Sequence, residues 1–245
     1  MPRYRLLIEY HGGPFQGWQK LPGKPTVQGM LEEAAAQLDG RPVNIFGAGR
    51  TDSGVHATGQ VAHMDLETDR GSKVADAMNF HLRPHPIAVL KAERVTDAFH
   101  ARFDATQRHY RYIVINRRAD LTVDRGLAWR VPSKLDAEQM HDAAQALVGT
   151  HDFTTFRDTD CQARTPVKTL NEFTVSRYGE RIEFTCRAQS FIHRQVRSMV
   201  GSLIEVGRGK RNPDWLADIL AAVDRTQCGP IAPADGLYLE KVDYD

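Results

Sequence analysis

Phe46-Gly47-Ala48-Gly49-Arg50-Thr51-Asp52-Ser53-Gly54-Val55-His56-Ala57-Thr58-Gly59-Gln60 sets four glycines around one arginine and one carboxylate, Arg50 and Asp52. Glycine loses more backbone freedom on folding than other residues, so a run of it marks tight positive-φ turns or a closely approached backbone. A flexible surface loop would be filled with Ser, Lys and Glu. Here Asp52 sits among small residues, and the apolar, strand-prone Val61-Ala62-His63-Met64 follows. A short strand from Val43 to Phe46 enters the loop and another from Val61 to Leu66 leaves it. The pattern predicts a rigid loop that presents one carboxylate to a ligand. Two familiar glycine motifs do not fit. A dinucleotide fingerprint would place its last glycine where Asp52 stands, and a carboxylate there repels a pyrophosphate; a P-loop needs Gly-Lys-Ser/Thr after its glycines, and none follows.

Working outward from the loop, Arg3 to Tyr10 reads as a strand closed by Gly12-Gly13-Pro14. Thr26 opens a helix in which Val27, Met30, Leu31, Ala34, Ala35 and Leu38 keep helical spacing until Gly40. Ser72 caps a short helix to Leu82, and Ile87 to Val95 is a further strand. Arg108 to Asn116 alternates, with Tyr110, Tyr112 and Val114 on one face and His109, Arg111 and Ile113 on the other. Asp136 to Val148 is a helix stopped by Gly149, and His151-Asp152 begins a loop. Glu172 to Arg177 and Arg181 to Arg187 form a hairpin around Gly179. Ile192 to Val206 is a helix with an apolar stripe. Asn212-Pro213 caps and opens a short helix, and Leu237 to Val242 closes the chain as a strand. Two successive mixed units make the fold class α+β, divided into residues 1–106, which carry the glycine loop, and 107–245.

Composition excludes several classes. At 245 residues, 41% hydrophobic and 26% charged, this is an ordinary globular composition, long enough to bury roughly 70% of its unfolded surface. No run approaches the roughly 18 apolar residues of a membrane span, and Glu9 and His11 interrupt any secretory core after the opening residues. Cys161, Cys186 and Cys228 are far apart and never in Cys-x-x-Cys spacing, which points to a reducing cytoplasm and against a disulfide framework or structural zinc. His81 and His85 have helical ligand spacing, but Pro84 and Pro86 forbid a helix there, and His56 and His63 have no third ligand nearby. Net charge is only +1, yet it is segregated along the chain. Residues 100–130 hold seven arginines against three aspartates (+4), residues 187–211 carry +5, and the remainder is therefore −8. Such segregation predicts a phosphate-binding face on an otherwise acidic body.

The glycine loop resembles the signature of the tRNA pseudouridine synthase A family, and the resemblance runs the length of the chain. Tyr10-His11-Gly12-Gly13-Pro14-Phe15-Gln16-Gly17-Trp18-Gln19 with Thr26-Val27-Gln28-Gly29 is similar to the family's opening. Ala101-Arg102-Phe103-Asp104-Ala105 and Arg108-His109-Tyr110-Arg111-Tyr112 resemble its middle block. Phe191 to Gly201 and Ala232 to Leu239 match its C-terminal blocks. Several long motifs in the right order are specific. The departures are His11, where aspartate is commoner, and Gln195, where methionine is common. The resemblance implies two related α/β halves sharing a largely antiparallel central sheet with a cleft between them. It implies a cytoplasmic homodimer that converts uridine to pseudouridine at positions 38, 39 and 40 of the tRNA anticodon arm.

That reaction breaks an N–C glycosidic bond and remakes it as C–C with the same base. It is redox-neutral, so it requires no cofactor and no metal. It does require a carboxylate at the ribose, acting either as nucleophile at C1′ or as base at the 2′ carbon; the residues do not choose between these. Resemblance assigns that role to Asp52. Arg50, on the same loop, is a partner for the carboxylate or a phosphate contact. Tyr110 matches the family's active-site tyrosine, whose ring stacks on the target base; the strand pattern alone reads it equally as a sheet aromatic. The motif arginine, Arg197, faces the catalytic aspartate by resemblance, while its position alone makes it a surface residue. Leu237 matches an apolar pocket wall and reads also as core. The alternatives are a catalytically inactive tRNA-binding protein of the same fold and a nucleoside hydrolase, which would not need two basic segments.

Overall fold

Every second residue of the first strand is apolar, and the computed structural model, which describes residues 1–245, buries that set: Tyr4, Leu6, Ile8 and Tyr10 of β1 (Arg3–Tyr10) point into the core. The chain continues through α1 (Val27–Asp39), β2 (Ile45–Gly47), β3 (His56–Asp65), α2 (Val74–Leu82) and β4 (Ile87–Val95). It then runs through β5 (Ala105–Ile115), β6 (Trp129–Arg130), α3 (Ala137–Gln145), β7 (Gly149–Asp152), β8 (Val167–Tyr178) and β9 (Arg181–Ala188). Two helices, α4 (Gln195–Gly207) and α5 (Trp215–Ala222), precede the last strand, β10 (Leu237–Tyr244). The protein is α+β with mostly antiparallel strands. No helix is long and apolar enough to cross a membrane, and all three cysteines are free thiols.

Two compact units emerge: residues 1–106 together with 238–245, and residues 107–237. The sequence grouped the closing strand with the second half, but it packs in the first unit. There its Tyr238 and Leu239 pair in parallel with His56 and Ala57 of β3. The sheet of this unit runs β4-β1-β3-β10, with β2 paired to β3. Pairing with β1 and β10 also explains why β3 starts at His56 rather than at Val61: Tyr10 faces Ala57 and Ile8 faces Gln60. α1 has the ends its sequence implies. The Thr26 side chain accepts from Gly29 N at 3.3 Å, and Gly40 (φ 77°) closes the helix with its N–H on Ala36 O. Ser72 caps nothing. Residues 71–73 form a 3₁₀ turn that runs into α2 without a side-chain cap.

The second unit has the order β5-β9-β8-β7, with β6 beside β5. β8 and β9 form the expected hairpin, longer than anticipated, turning at Gly179 (φ 61°). His151 and Asp152 lie in an edge strand instead of a loop, Gly149 pairing with Leu170. α4 begins at Gln195, later than the periodicity suggests, because Arg194 adopts φ 59° and the Gln195 side chain accepts from Ile192 N at 3.0 Å. Asn212 Oδ1 accepts from Trp215 N at 3.0 Å at the entry to α5, the capping role its Asn-Pro pair implied.

Candidate active site

The glycine loop is fixed by bonds to residues distant in sequence, all within the first unit. Trp18 N donates to Thr51 O at 3.0 Å, Gly54 N to Phe15 O at 3.4 Å and Ala48 N to Val61 O at 2.7 Å. Ser53 Oγ donates to Phe15 O at 3.2 Å, Gln60 Nε2 to Gly49 O at 2.8 Å, and Thr51 Oγ1 shares a buried bond with the Tyr10 hydroxyl at 2.8 Å. Asp52 is half-buried and starts a tight turn, its carbonyl accepting from Val55 N at 3.1 Å. Gly54 completes that turn at φ 81°, a conformation that strains any side chain. Gly47 is glycine for space: a Cβ there would lie 2.5 Å from the Trp18 ring. The loop is thus rigid, as its composition implied. Arg50 stands exposed on it. Burial pushes the Tyr10 phenol up to about 12, so the group that braces Thr51 is neutral and cannot compete with Asp52 as an anion.

The second unit holds the other three expected residues. Tyr110 lies on β5 opposite Cys186, 9% exposed, with its ring edge-on to Phe191 at 5.1 Å. Arg197 lies in the first turn of α4. Its Nε donates to Ala232 O at 2.8 Å, and Ala232 N donates back to Arg197 O at 3.1 Å. That exchange ties α4 to the segment leading into Leu237, which is buried at the start of β10 after a 3₁₀ turn at Ala234–Gly236. The segment's approach is permitted by Gly201, where a Cβ would sit 1.7 Å from Pro230 O. Below it the Tyr112 hydroxyl donates to Pro233 O at 2.8 Å, and burial raises that phenol well above its ordinary value.

Several supporting residues carried no assigned role in the sequence: Tyr10, Phe15, Trp18 and Gln60 around the loop, and Phe191 against Tyr110. Their signal was present, since all lie in or beside the quoted motifs, but nothing local says which backbone group each holds. The charge pattern needs correction. Arg117, Arg187 and Arg194 of the basic segments reach Glu180 at 3.3 Å, Glu172 at 2.8 Å and Asp158 at 2.8 Å, and Arg208 reaches Glu205 at 2.8 Å. Charges segregated along the chain are partly intermixed in space. No group of three or more His, Cys, Asp or Glu side chains could hold a metal ion.

The family model described as tRNA pseudouridine synthase matches residues 7–104 and 143–245. The chain is 74% identical over 244 residues to tRNA pseudouridine synthase A of Hyphomonas neptunium, covering all of this chain and 99% of the relative. It is 63% identical to the protein of that name from Maricaulis maris, covering 98% of the relative, and 58% identical to that of Parvibaculum lavamentivorans, covering all of it. Likeness of this depth, spanning the rigid Asp52 loop, α4 and the last strand alike, makes the chain a member of the tRNA pseudouridine synthase family.

Proposed function

We propose that this protein isomerises uridine to pseudouridine at positions 38, 39 and 40 of the tRNA anticodon stem and loop, with Asp52 as the catalytic carboxylate. The observation that carries the reading is the rigid loop, whose bonds to Phe15, Trp18, Tyr10 and Gln60 fix the backbone around one half-buried carboxylate. Relatives named for this activity across their whole length support the reaction and the tRNA substrate. The base leaves the helical stack to reach the site. The N1–C1′ bond breaks while Asp52 either adds to C1′ or removes the 2′ proton. The uracil turns and its C5 bonds to C1′. On the first route this expels the Asp52 carboxylate; on the second it is accompanied by return of the proton from Asp52 to the 2′ carbon. C5 then loses its proton and N1 gains one. The product is an isomer of the substrate, and the balance needs no redox partner. Tyr110 stacks on the base, Arg50 and Arg197 orient carboxylate and phosphate, and Leu237 closes an apolar wall. The working form is a cytoplasmic homodimer.

The test incubates wild type and Asp52→Asn with unmodified tRNA transcripts, quantifies pseudouridine by nucleoside chromatography and maps its position by primer extension. The near-isosteric variant is expected to lose more than 100-fold in rate, roughly the least that removal of a covalent or general-base group costs, with tRNA affinity within a few-fold. Residual turnover above about one-hundredth of wild type removes Asp52 from this role. Product confined to positions outside 38–40 overturns the positional assignment. Wild type that binds tRNA and forms no pseudouridine leaves the inactive binding protein as the reading.

A further inference from the structure

The block Ala101-Arg102-Phe103-Asp104 has no part in the chemistry above, yet it builds a specific surface in the first unit. Phe103 is 76% exposed and Phe46 is 48% exposed, although both are large apolar side chains. They belong to one continuous set of rings. Phe46 stacks on His63 with centroids 5.1 Å apart, His63 meets His100 edge-on at 4.6 Å, and His100 lies 4.3 Å from Phe103. The Arg102 guanidinium stands over the Phe103 ring, 5.9 Å from its centroid. An isolated exposed phenylalanine is ordinary on a protein surface, but a contiguous ring set with a cation over its outermost ring is not.

The set is also held in place. His100 N donates to Asp104 Oδ2 at 2.8 Å and Asp104 N to His100 O at 3.1 Å, closing the turn. The His100 ring accepts from Arg102 N at 3.2 Å, and the Tyr244 hydroxyl donates to Ala101 O at 2.7 Å. His63, only 2% exposed, forms the base; its Nδ1 accepts from Ala101 N at 3.1 Å. Burial, with help from His100 and Arg3, pulls its pKa down to about 4, so the base of the set is uncharged at neutral pH. Phe46 sits in β2 opposite His63, and Gly47, the next residue, begins the loop that carries Asp52.

We propose that Phe46, His100 and Phe103 form a stacking platform for an unpaired base of the RNA substrate, with Arg102 meeting the adjoining phosphate. The proposal rests on the tRNA-modifying function above and adds the residues that hold the strand beside the target nucleotide. Flat rings with a guanidinium over the outermost one match an unpaired nucleotide in shape and charge, and every base offers a face to stack regardless of sequence. A second copy of the chain is the weaker occupant. The two exposed phenyl groups present roughly 250 Å² of surface, against the ~800 Å² per partner of a standard interface.

The experiment measures binding of full-length tRNA transcript, pseudouridine formation and solution mass for wild type, Phe46→Ala, Phe103→Ala, Phe103→Trp and a control, Phe80→Ala. Phe80 is 69% exposed and lies on α2, outside the set. Melting curves confirm that each variant folds. Phe46→Ala and Phe103→Ala are expected to weaken tRNA binding roughly 5- to 150-fold, the usual range for one stacked base. The salt dependence should stay as in wild type, Phe103→Trp should retain affinity, and Phe80→Ala should be silent. Wild-type affinity in both platform variants overturns the proposal, as does a loss in Phe103→Trp equal to that in Phe103→Ala. Affinity lost together with a fall in solution mass assigns the surface to a second copy instead. If wild type modifies a different arm but the Ala variants still bind weakly, the positional reading fails and the platform stands.

Discussion

Tyr10 closes a strand and Asp52 sits in a distant loop, yet Tyr10 is bonded to the residue next to Asp52. The Tyr10 hydroxyl meets Thr51 Oγ1 at 2.8 Å in a buried setting, with Gln60 also reaching it. Replacing a hydroxyl whose partners are buried leaves those partners unsatisfied, at roughly 1–3 kcal/mol. Tyr10→Phe keeps the ring that packs near Trp18 and removes only this brace. Urea titration is therefore expected to show a loss in that range. If Thr51 is what aims Asp52, the catalytic rate falls several-fold more than tRNA affinity does. A variant that is destabilised yet turns over at the wild-type rate would make Tyr10 a purely structural residue. Tyr110 shows the limit of reading one residue from its pattern. Alternation fixed its face, and the structure puts it at 9% exposure against Phe191, but neither separates a stacking ring from a packed one. Substitution alone does that.

Elements with local signals were legible. β1 shows in its alternation, α1 in Thr26 and Gly40, and the entry to α5 in Asn212, because each signal acts over four residues or fewer. The first half of β3 and all of β7 were not legible, since pairing with β1, β10 and β8 makes them strands and those partners lie far along the chain. The same holds for Gly201. Mid-helix glycine reads as a weakness costing about 1 kcal/mol against alanine, so propensity alone recommends Gly201→Ala as stabilising. The structure reverses the sign. A Cβ at Gly201 would lie 1.7 Å from Pro230 O and 3.0 Å from Ala232 N, and backbone cannot give way as a flexible side chain would. Overpacking of this kind costs roughly 1–3 kcal/mol or more. Ala232, which would be displaced, is the residue that exchanges two bonds with Arg197. Gly201→Ala is expected to lower the melting temperature by several degrees and to reduce pseudouridine formation. A rise in melting temperature would show that propensity wins and that the segment adjusts freely.

For the whole molecule the decisive quantity is how its charge meets a polyanion. Net charge of +1 gives no general attraction, so binding must come from particular cations. Sequence segregation nominated every arginine of the two basic segments, but the structure separates them. Arg208 is half-exposed, 2.8 Å from Glu205 at the C-terminal end of α4, where a cation also offsets the helix dipole. Lys210 reaches the same carboxylate at 3.1 Å, so Glu205 keeps a partner when Arg208 is removed. Arg118 and Arg125, by contrast, are exposed on the segment between β5 and β6. Each phosphate neutralised releases condensed counterions, adding roughly 0.7–0.9 to the steepness of log affinity against log salt. Wild type should therefore show a steep dependence. Arg118→Ala and Arg125→Ala should each flatten it by about one unit where the side chain meets a phosphate, weakening all tRNAs alike. Arg208→Ala should leave the slope unchanged and lower stability by no more than about 1 kcal/mol, as expected for a solvent-screened pair. Binding measured across a salt series for the three variants decides the matter. A flatter slope for Arg208→Ala, with none for Arg118→Ala or Arg125→Ala, would mean that the ion pair opens to meet RNA and that exposure is the wrong guide to the phosphate-binding face.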